Sequence, residues 1–295
     1  MTEEVAPLVE SSPTVLKSRI GADLRKMREE AGISRAEVAA RFMKAAAWPG
    51  HIETGLYQPS VGDMAMMLEW YGHPERTDFY TKLLARAKRG KDWWSSELFV
   101  DAAPGWFNFY LGLESIAEGL DGYDAMVPPG LLQTEDTARA IIRGARPDLS
   151  DQEIRRRAAL RVARQDALRH REDGDPLRLN RVIDEFALRR PIGDPGVHRA
   201  QLLRLAEAAE QMPNVELQVL PVSVGAHPSI EGTFTVLAFP PEYVDDTGMV
   251  YVENREDGIY YKLEQQVQGF KDDLKILRTL ALKPDNRISF IRTLA

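Results

Sequence analysis

The chain has 295 residues, of which 44% are hydrophobic and 28% charged, carries a formal net charge of −7 and contains no cysteine. Its length predicts two domains of about 100–200 residues each, the lack of cysteine excludes disulfides and thiolate metal sites, and the net negative charge argues against a protein that coats nucleic acid. Because no apolar run approaches the ~20 residues that span a bilayer, and the acidic start lacks the order of a signal peptide, we expect a cytoplasmic chain with no membrane partner.

The first predicted elements are a mobile arm and a bundle of short helices. Residues 1–16 are polar and show little periodicity, so we interpret them as the arm. Over residues 17–90, the head, apolar residues recur at three- and four-residue spacing in five segments, which predicts five helices. Residues 17–50 carry eight Lys or Arg against four Asp or Glu. The head is therefore basic although the whole chain is acidic.

Two of the five helices have the spacing of a helix-turn-helix. Ser34 is expected to cap the first of them, and Glu37 three residues later completes a capping box. Ala39 is small where the two helices would cross, and Gly55 can end the second, recognition helix. Further residues of the pattern are Leu24, Arg28-Glu29, Gly32 and Gly55-Leu56-Tyr57-Gln58-Pro59-Ser60. Together they resemble the lambda-repressor-like, or XRE, helix-turn-helix family, and the resemblance implies a transcriptional regulator that binds double-stranded DNA.

A second domain is predicted after the head. We interpret residues 91–105 as a linker and residues 106–295 as a C-terminal domain that senses a ligand or binds a partner. Residues 139–171 carry ten Arg against four acidic residues, on a long helix capped by Ser150. Arginines that repeat along this helix are Arg155, Arg156, Arg157, Arg161 and Arg164. They could grip an acidic partner or nucleic acid, or they could form a solvated face paired with Asp and Glu.

Strand-like patterns appear late in the chain. Alternating or apolar runs occur at residues 215–220, 234–239 and 249–252, and residues 263–280 return to a helical pattern. Residues 210–258 carry nine acidic residues against Arg255 alone. The predicted fold class is therefore mainly α with an α+β second domain: an N-terminal five-helix helix-turn-helix bundle, followed by a mixed domain of helices around a small β-sheet.

The second domain contains a series of short motifs in a fixed order. They are Pro129-Gly130-Leu131-Leu132-Gln133-Thr134, Arg164-Gln165, Asp184-Glu185-Phe186-Ala187-Leu188-Arg189-Arg190, Gln201-Leu202, Pro213-Asn214-Val215, Val219-Leu220-Pro221, Gly225-Ala226-His227, Phe234 and Val250-Tyr251-Val252-Glu253. In this order they resemble the C-terminal domain of a large actinobacterial class of XRE-type regulators. The resemblance implies a transcription factor with a small cognate protein partner, often in antitoxin-like systems, and no enzymatic activity.

The predicted recognition helix departs from that family. Its N-terminal stretch, residues 44–51, is where family members place polar side chains that reach base edges in the major groove. Three alanines here offer no donor or acceptor, and Ala45 replaces the usual Ser or Thr cap. Because proline is tolerated at the first helical position but not inside a helix, we expect a short helix from Pro49 to Thr54 after an extended turn.

Six residues of this region are the candidate DNA contacts. They are Arg35, Lys44, Ala46, Trp48, His51 and Gln58. Arg35 and Lys44 would neutralise phosphates, and His51 occupies a position where the family often has a contact residue. Each of these three side chains could equally be an ordinary exposed one, and Trp48 could instead cover apolar surface or contact a partner.

Two hypotheses for the head follow. In the first, it binds DNA as part of a homodimer. In the second, its degenerate recognition helix no longer reads sequence, and the head docks a partner or a second copy of the chain in an antitoxin-like manner. In both, the C-terminal domain binds a small protein partner, a ligand or a second subunit.

An enzyme is the least favoured interpretation. The side chains available for it are His227 and the carboxylates Asp184, Glu185, Glu231 and Glu253. A loop histidine is more often structural, and the chain has no G-x-S-x-G, P-loop or dinucleotide-binding glycine pattern. We therefore predict no catalysis, no metal site and no cofactor.

Overall fold

The computed structural model describes residues 11–88, 90–99, 101–171, 175–243 and 247–295. Within these residues the head consists of five α-helices: α1 (Pro13–Glu30), α2 (Arg35–Arg41), α3 (Trp48–Glu53), α4 (Val61–Tyr71) and α5 (Thr77–Ala87). Their apolar faces meet in one core, as the periodicity predicts. Ile20 and Leu24 of α1 are fully buried together with Met64 and Leu68 of α4.

The second domain arranges helices around a mixed sheet, which confirms the predicted fold class. Its helices in the described residues are α6 (Phe107–Ile116), α7 (Glu135–Ala145), α8 (Asp151–Ala163), α9 (Glu185–Arg189), α10 (Pro195–Gln211), α11 (Glu264–Leu280) and α12 (Pro284–Thr293). Its strands there are β1 (Gly119–Asp124), β2 (Arg178–Asp184), β3 (Val215–Leu220), β4 (Phe234–Ala238), β5 (Met249–Glu253) and β6 (Gly258–Tyr261). Among the described residues, no helix is both long and apolar enough to cross a bilayer.

The strands pair in the order β3-β2-β1-β4-β5-β6. β1, β2 and β3 run parallel to one another, whereas β1–β4, β4–β5 and β5–β6 are antiparallel pairs. Because side chains alternate between the two faces of a strand, the sheet has two apolar faces. Tyr123 and Val182 lie on the face covered by α11, and Leu120 and Leu179 lie on the opposite face. The second face carries the cleft described below.

The head and the second domain share one core at their junction. Gly112 of α6 packs directly against α1, where a Cβ added to Gly112 would lie 2.2 Å from Val15 Cγ2. Only glycine permits this approach. The Ser12 N–H donates to Ser115 Oγ at 2.8 Å, which joins the start of α1 to the end of α6.

This contact explains why α1 begins before the predicted boundary of the arm at residue 16. Ser12 Oγ accepts the Val15 N–H and caps a helix that starts at Pro13. Val15 and Leu16 are buried against the second domain, a tertiary contact that local periodicity does not reveal. Residues 1–10 of the predicted arm lie outside the described residues.

The segment predicted as a linker, residues 91–105, contributes to the shared core. Trp93, Trp94 and Phe99 are buried, and the Trp93 ring packs edge to face on the other two. Asp92 Oδ1 accepts a hydrogen bond from the Ser12 hydroxyl at 2.6 Å. The connection between the domains is therefore packed along its described residues.

Candidate nucleic-acid interface and second-domain cleft

The recognition helix α3 is short, as its proline predicts. It begins at Trp48, one residue before the predicted start, and Pro49 is its second residue. A backbone N–H at this position would have no acceptor within the helix, so proline costs no hydrogen bond there. Ala45 C=O accepts the Trp48 N–H at 2.9 Å, so a turn precedes the helix. No side chain caps this helix, because its N-cap residue is Ala47, not the Ala45 that the sequence predicts, and the alanine side chain has no acceptor.

A buried ion-pair cluster joins Arg28, a residue of the helix-turn-helix pattern, to Glu53 of α3. Arg28 Nε donates to Glu53 Oε1 at 2.6 Å, and both side chains are buried. Hydrogen bonds to Glu53 raise the pKa of Arg28. Arg28 Nη1 also donates to the Ile33 carbonyl. The cluster therefore ties α1, the following turn and α3 together.

Arg35 belongs to the same cluster. Its Nε donates to Glu53 Oε2 at 2.8 Å, although 48% of the side chain remains exposed. A guanidinium already paired with a buried carboxylate has less charge to offer a phosphate. Of the two predicted phosphate contacts, Lys44 is the less engaged, because it is exposed and its Nζ lies 5.5 Å from the centre of the Trp48 ring.

The other predicted contacts lie on and beside α3. Ala46 is exposed in the turn before the helix. The His51 ring packs edge to face on Tyr57 with centroids 5.0 Å apart. Gln58 Nε2 donates to the Tyr57 carbonyl, and Gln58 Oε1 is buried without a hydrogen-bond partner. The structure thus brings Lys44 and Trp48 together, and separately groups His51, Tyr57 and Gln58.

Apolar side chains are exposed on either side of α3. Met43 precedes it with 92% exposure and a backbone φ of 52°, and Leu56 and Tyr57 follow it at 64% and 54%. Exposed apolar groups of this size, grouped around one short helix, are typical of surfaces that contact another macromolecule.

A cleft opens on the sheet face opposite α11. It consists of two adjoining cavities of about 440 Å³ each, which share lining residues. The lining residues in common are Phe107, Ile141, Arg161, Arg164, Glu253, Asn254 and Arg255. Phe107 and Tyr110 of α6 stack at 5.1 Å, and Tyr110 packs on Tyr251 of β5 at 4.4 Å. The cleft therefore has an aromatic wall made by α6 and the sheet.

Two buried ion pairs form the base of this cleft. Arg164 donates through Nε and Nη2 to the two oxygens of Glu114 at 2.8 and 2.7 Å. Arg181 of β2 pairs in the same bidentate way with Asp124 of β1 at 2.8 and 2.9 Å. Gly122 leaves the space for this guanidinium, since a Cβ there would lie 2.4 Å from Arg181 Nη1. In each pair the two buried charges neutralise one another, whereas either charge buried alone would destabilise the fold.

The Arg-rich helix α8 is divided between solvent and the cleft. Arg155 and Arg156 are exposed. Arg157, Arg161 and Arg164 follow one another at intervals of four and three residues, share a helix face and line the cleft. The arginines are therefore divided between solvent and the cleft, and a grip on an acidic partner or nucleic acid stays a prediction. Spacing alone could have grouped the three arginines that face inward.

The motif Pro129–Thr134 forms one wall of the cleft. Gln133 lies at its centre, where its Oε1 accepts from Arg161 Nη1 at 2.9 Å and its Nε2 donates to the Pro128 carbonyl. Gln165 Nε2 donates to the Gln133 carbonyl. Gln201 Nε2 donates to the Leu132 carbonyl. The glutamines quoted from three separate motifs therefore hold this one loop in place.

The residues considered for catalysis do not form a free acid–base pair. The Tyr123 hydroxyl donates to Asp184 Oδ2 at 2.6 Å and lies 3.3 Å from His227 Nε2. The second oxygen of Asp184 accepts the Phe186 N–H and caps α9. Glu185 accepts the Val222 N–H. Glu231 is exposed, and Glu253 is exposed where it lines the cleft. Within the part of the chain that the structure describes, no group of three His, Asp or Glu side chains is placed to hold a metal ion.

Comparison with known protein families gives two matches in separate parts of the chain. Residues 107–293 match a family described as a domain of unknown function (DUF5753), and residues 19–78 match a helix-turn-helix domain. Neither a curated protein nor a solved structure matches the chain. The matched ranges correspond to the head, from within α1 to the start of α5, and to the second domain from α6 to α12.

Proposed function

The chain belongs to the family defined by the domain of unknown function DUF5753, and because a helix-turn-helix domain precedes that domain, we propose that it is a DNA-binding regulator of transcription. The observation that carries this proposal is the intact helix-turn-helix scaffold, in which the buried Arg28–Glu53 pair fixes α3 against α1. The proposal implies a cytoplasmic location and assigns no catalysis to the chain.

Within this proposal, Lys44 is the main phosphate contact and His51 is a contact on α3. Lys44 is exposed in the turn before α3, at the end of the helix that enters the major groove in this fold. The alanines that follow it limit base readout to apolar contacts. We expect affinity that depends strongly on phosphate contacts and hence on salt.

A salt titration tests this assignment. Anisotropy of a fluorescent duplex, taken from upstream of the chain's own coding sequence, would be measured at several salt concentrations. Lys44→Ala should lower the slope of log K against log salt by about 1, because one phosphate contact is lost.

Lys82→Ala is the matched control, because it removes the same charge from an exposed position on α5. This control variant should keep the slope of the unmodified chain. Binding that shows no salt dependence and no preference over a scrambled duplex would refute the DNA-binding proposal.

A second candidate function is supported by the apolar side chains around α3. We propose as the alternative that Met43, Leu56 and Tyr57 dock a small cognate protein, as in actinobacterial antitoxin-like regulators of the XRE type. If so, a small protein should co-purify with the wild-type chain but not with the Leu56→Asp variant. The wild-type chain should also fail to bind DNA. Loss of DNA binding alone in this variant would favour the first function.

The DNA-binding proposal also includes a homodimer. Helix-turn-helix proteins commonly bind two half-sites about one helical turn apart, and this requires two heads. Sedimentation equilibrium of the free chain and of its DNA complex tests this assignment. A complex that contains a single chain per duplex would contradict it.

A further inference from the structure

The cleft of the second domain contains positive charge that the protein does not neutralise. Arg164 and Arg181 are paired with Glu114 and Asp124, but Arg157 and Arg161 form no ion pair with any described carboxylate. Arg161 donates to the neutral Gln133, and Arg157 Nε is buried without a hydrogen-bond partner.

The remaining charged groups of the cleft leave this surplus in place. Arg146 is paired with Asp148, and Arg255 with Glu256. Glu253 lines both cavities and acts on Arg161, but it is exposed and its single charge offsets only part of the charge of the two guanidinium groups. Burial lowers the pKa of Arg161 to about 10, so its guanidinium is still protonated at neutral pH. Two half-buried cations without anionic partners are costly unless something else neutralises them.

A second unsatisfied group lies in the same cleft. Tyr251 is 5% exposed and lines the cleft, and its hydroxyl is buried without a hydrogen-bond partner. Most buried hydroxyls in folded proteins have a partner, and an exception calls for an explanation. A ligand oxygen in the cleft would provide that partner.

Much of the remaining lining is apolar, beside the polar Thr233, Thr235 and Asn254, and each cavity has the volume of a small-molecule site. Trp106, Phe107, Ile142 and Leu160 surround one cavity, and Tyr110 and Leu131 belong to the other. Each cavity has about 440 Å³, within the range of about 300–1,000 Å³ for small-molecule sites.

We propose that this cleft binds a small organic anion, with its carboxylate between Arg157 and Arg161 and its apolar body against the aromatic wall of α6. The inference deepens the proposed function, on which it rests for its meaning, because the ligand would be the signal that the regulator senses. α6 connects the two: Phe107 and Tyr110 line the cleft, and Gly112 contacts α1 of the head.

The test uses a fluorescent organic anion and its neutral counterpart. 8-Anilinonaphthalene-1-sulfonate has an aromatic body and one negative charge, and N-phenyl-1-naphthylamine has the same body without the charge. The full-length chain should bind the anion saturably at one site. Replacing both Arg157 and Arg161 by Met should weaken binding of the anion about tenfold and of the neutral probe less than about twofold, because the charged donors to the anion are lost while the aromatic wall remains. The double variant also removes the hydrogen bond from Arg161 to Gln133.

Two further variants control for folding and for bulk charge. Arg155→Met with Arg156→Met removes the same two charges from the exposed face of α8 and should leave both affinities unchanged. Arg157→Met alone breaks no hydrogen bond with the Pro129–Thr134 wall and should still weaken the anion severalfold. If the two double variants behave alike, or if the anion and the neutral probe respond equally, the proposal is overturned.

Displacement experiments identify the ligand class. 4-Phenylbutyrate should displace the anionic probe and 4-phenylbutanol should not. Displacement by a hexaglutamate peptide but not by 4-phenylbutyrate would overturn the assignment in favour of an acidic protein segment. DNA binding is measured on the same samples. Probe binding without DNA binding would support the anion site and refute the DNA-binding proposal. DNA binding without saturable probe binding would support the regulator and refute the anion site.

Discussion

At the scale of single residues, replacement of Glu53 is predicted to have the largest effect on the stability of the head. It is buried and accepts hydrogen bonds from Arg28 and Arg35, which anchor it to two other helices. Replacement by Gln leaves Arg28 buried without a carboxylate, and removing one partner of such a pair costs about 3 kcal/mol. We expect Glu53→Gln to lower the free energy of unfolding by about that amount in urea denaturation.

Glu135→Gln is the matched control for this prediction. Glu135 pairs with Arg139 one turn away on α7, but 49% and 41% of the two side chains are exposed. Exposed pairs of this kind contribute less than about 1 kcal/mol. Equal effects of the two substitutions would contradict the structural role assigned to Glu53.

Two tyrosine hydroxyls of the second domain lead to opposite predictions. The Tyr251 hydroxyl is buried without a partner, whereas the Tyr123 hydroxyl donates to Asp184. Burial raises the pKa of Tyr251 above its ordinary value, so the group stays neutral. In the absence of ligand, Tyr251→Phe should stabilise the chain by about 1 kcal/mol, because an unsatisfied buried group is removed.

Tyr123→Phe should have the reverse effect. It breaks a hydrogen bond to a carboxylate, which is worth about 1.5–3 kcal/mol. Thermal unfolding of both variants without ligand measures the difference. A destabilised Tyr251→Phe variant would mean that its hydroxyl has a partner inside the protein.

Part of the site follows from the sequence, and part depends on the fold. The spacing of Arg157, Arg161 and Arg164 already places them on one helix face. That this face is turned inward depends on α6 and β5, whose aromatic residues are distant in sequence. Arg181 is harder still, because a charged residue inside a strand weakens the strand pattern and its partner Asp124 comes from another strand.

At the scale of elements, local chemistry predicts helices better than strands here. The capping box at Ser34 and the cap at Ser150 are present as the sequence predicts, and Ser150 also forms a capping box with Glu153. β3, β4 and β5 match the apolar runs. β1, β2 and β6 do not follow from the sequence pattern; in β1 and β2, glycine, aspartate and arginine interrupt the apolar runs. Residues of these types form the buried Arg181–Asp124 pair, and Gly122 leaves the space for it. The pair therefore weakens the apolar alternation that would predict the two strands.

The contact between α1 and α6 predicts an effect of a single methyl group. Gly112→Ala would place a Cβ against Val15 Cγ2 and should cost about 2 kcal/mol through overpacking. Val15→Ala removes the opposing methyl groups, so the double variant should be more stable than Gly112→Ala alone. Chemical denaturation of the three variants gives the coupling energy.

Gly144→Ala serves as the control, because it is the same substitution in α7 with nothing within 4 Å of the added Cβ. It should leave stability unchanged or raise it by up to about 1 kcal/mol, since alanine favours a helix interior over glycine. A Gly112→Ala variant that behaved like Gly144→Ala would mean that α1 and α6 separate readily.

At the scale of the whole molecule, the shared core predicts cooperative unfolding. Buried residues of α1, the Trp93–Phe99 segment and the sheet belong to one cluster. Neither domain can open without exposing apolar surface of the other. Native-state hydrogen exchange should therefore give the slowest amides of α1 and of β1 the same opening free energy. Head amides that exchange through a separate, lower-energy opening would contradict this expectation.

The close contact between Gly112 and Val15 limits how freely the head of this chain can be exchanged for another helix-turn-helix domain. If a helix-turn-helix domain from another protein were joined at residues 91–105, its first helix would lie against α6 at Gly112, where Val15 packs in this chain. A larger side chain would collide with α6, and a smaller one would leave a void. Transplanting the head with a new specificity thus requires the donor helix to carry the complementary residue, and the pair formed by Val15 and Gly112 has to be exchanged as one unit.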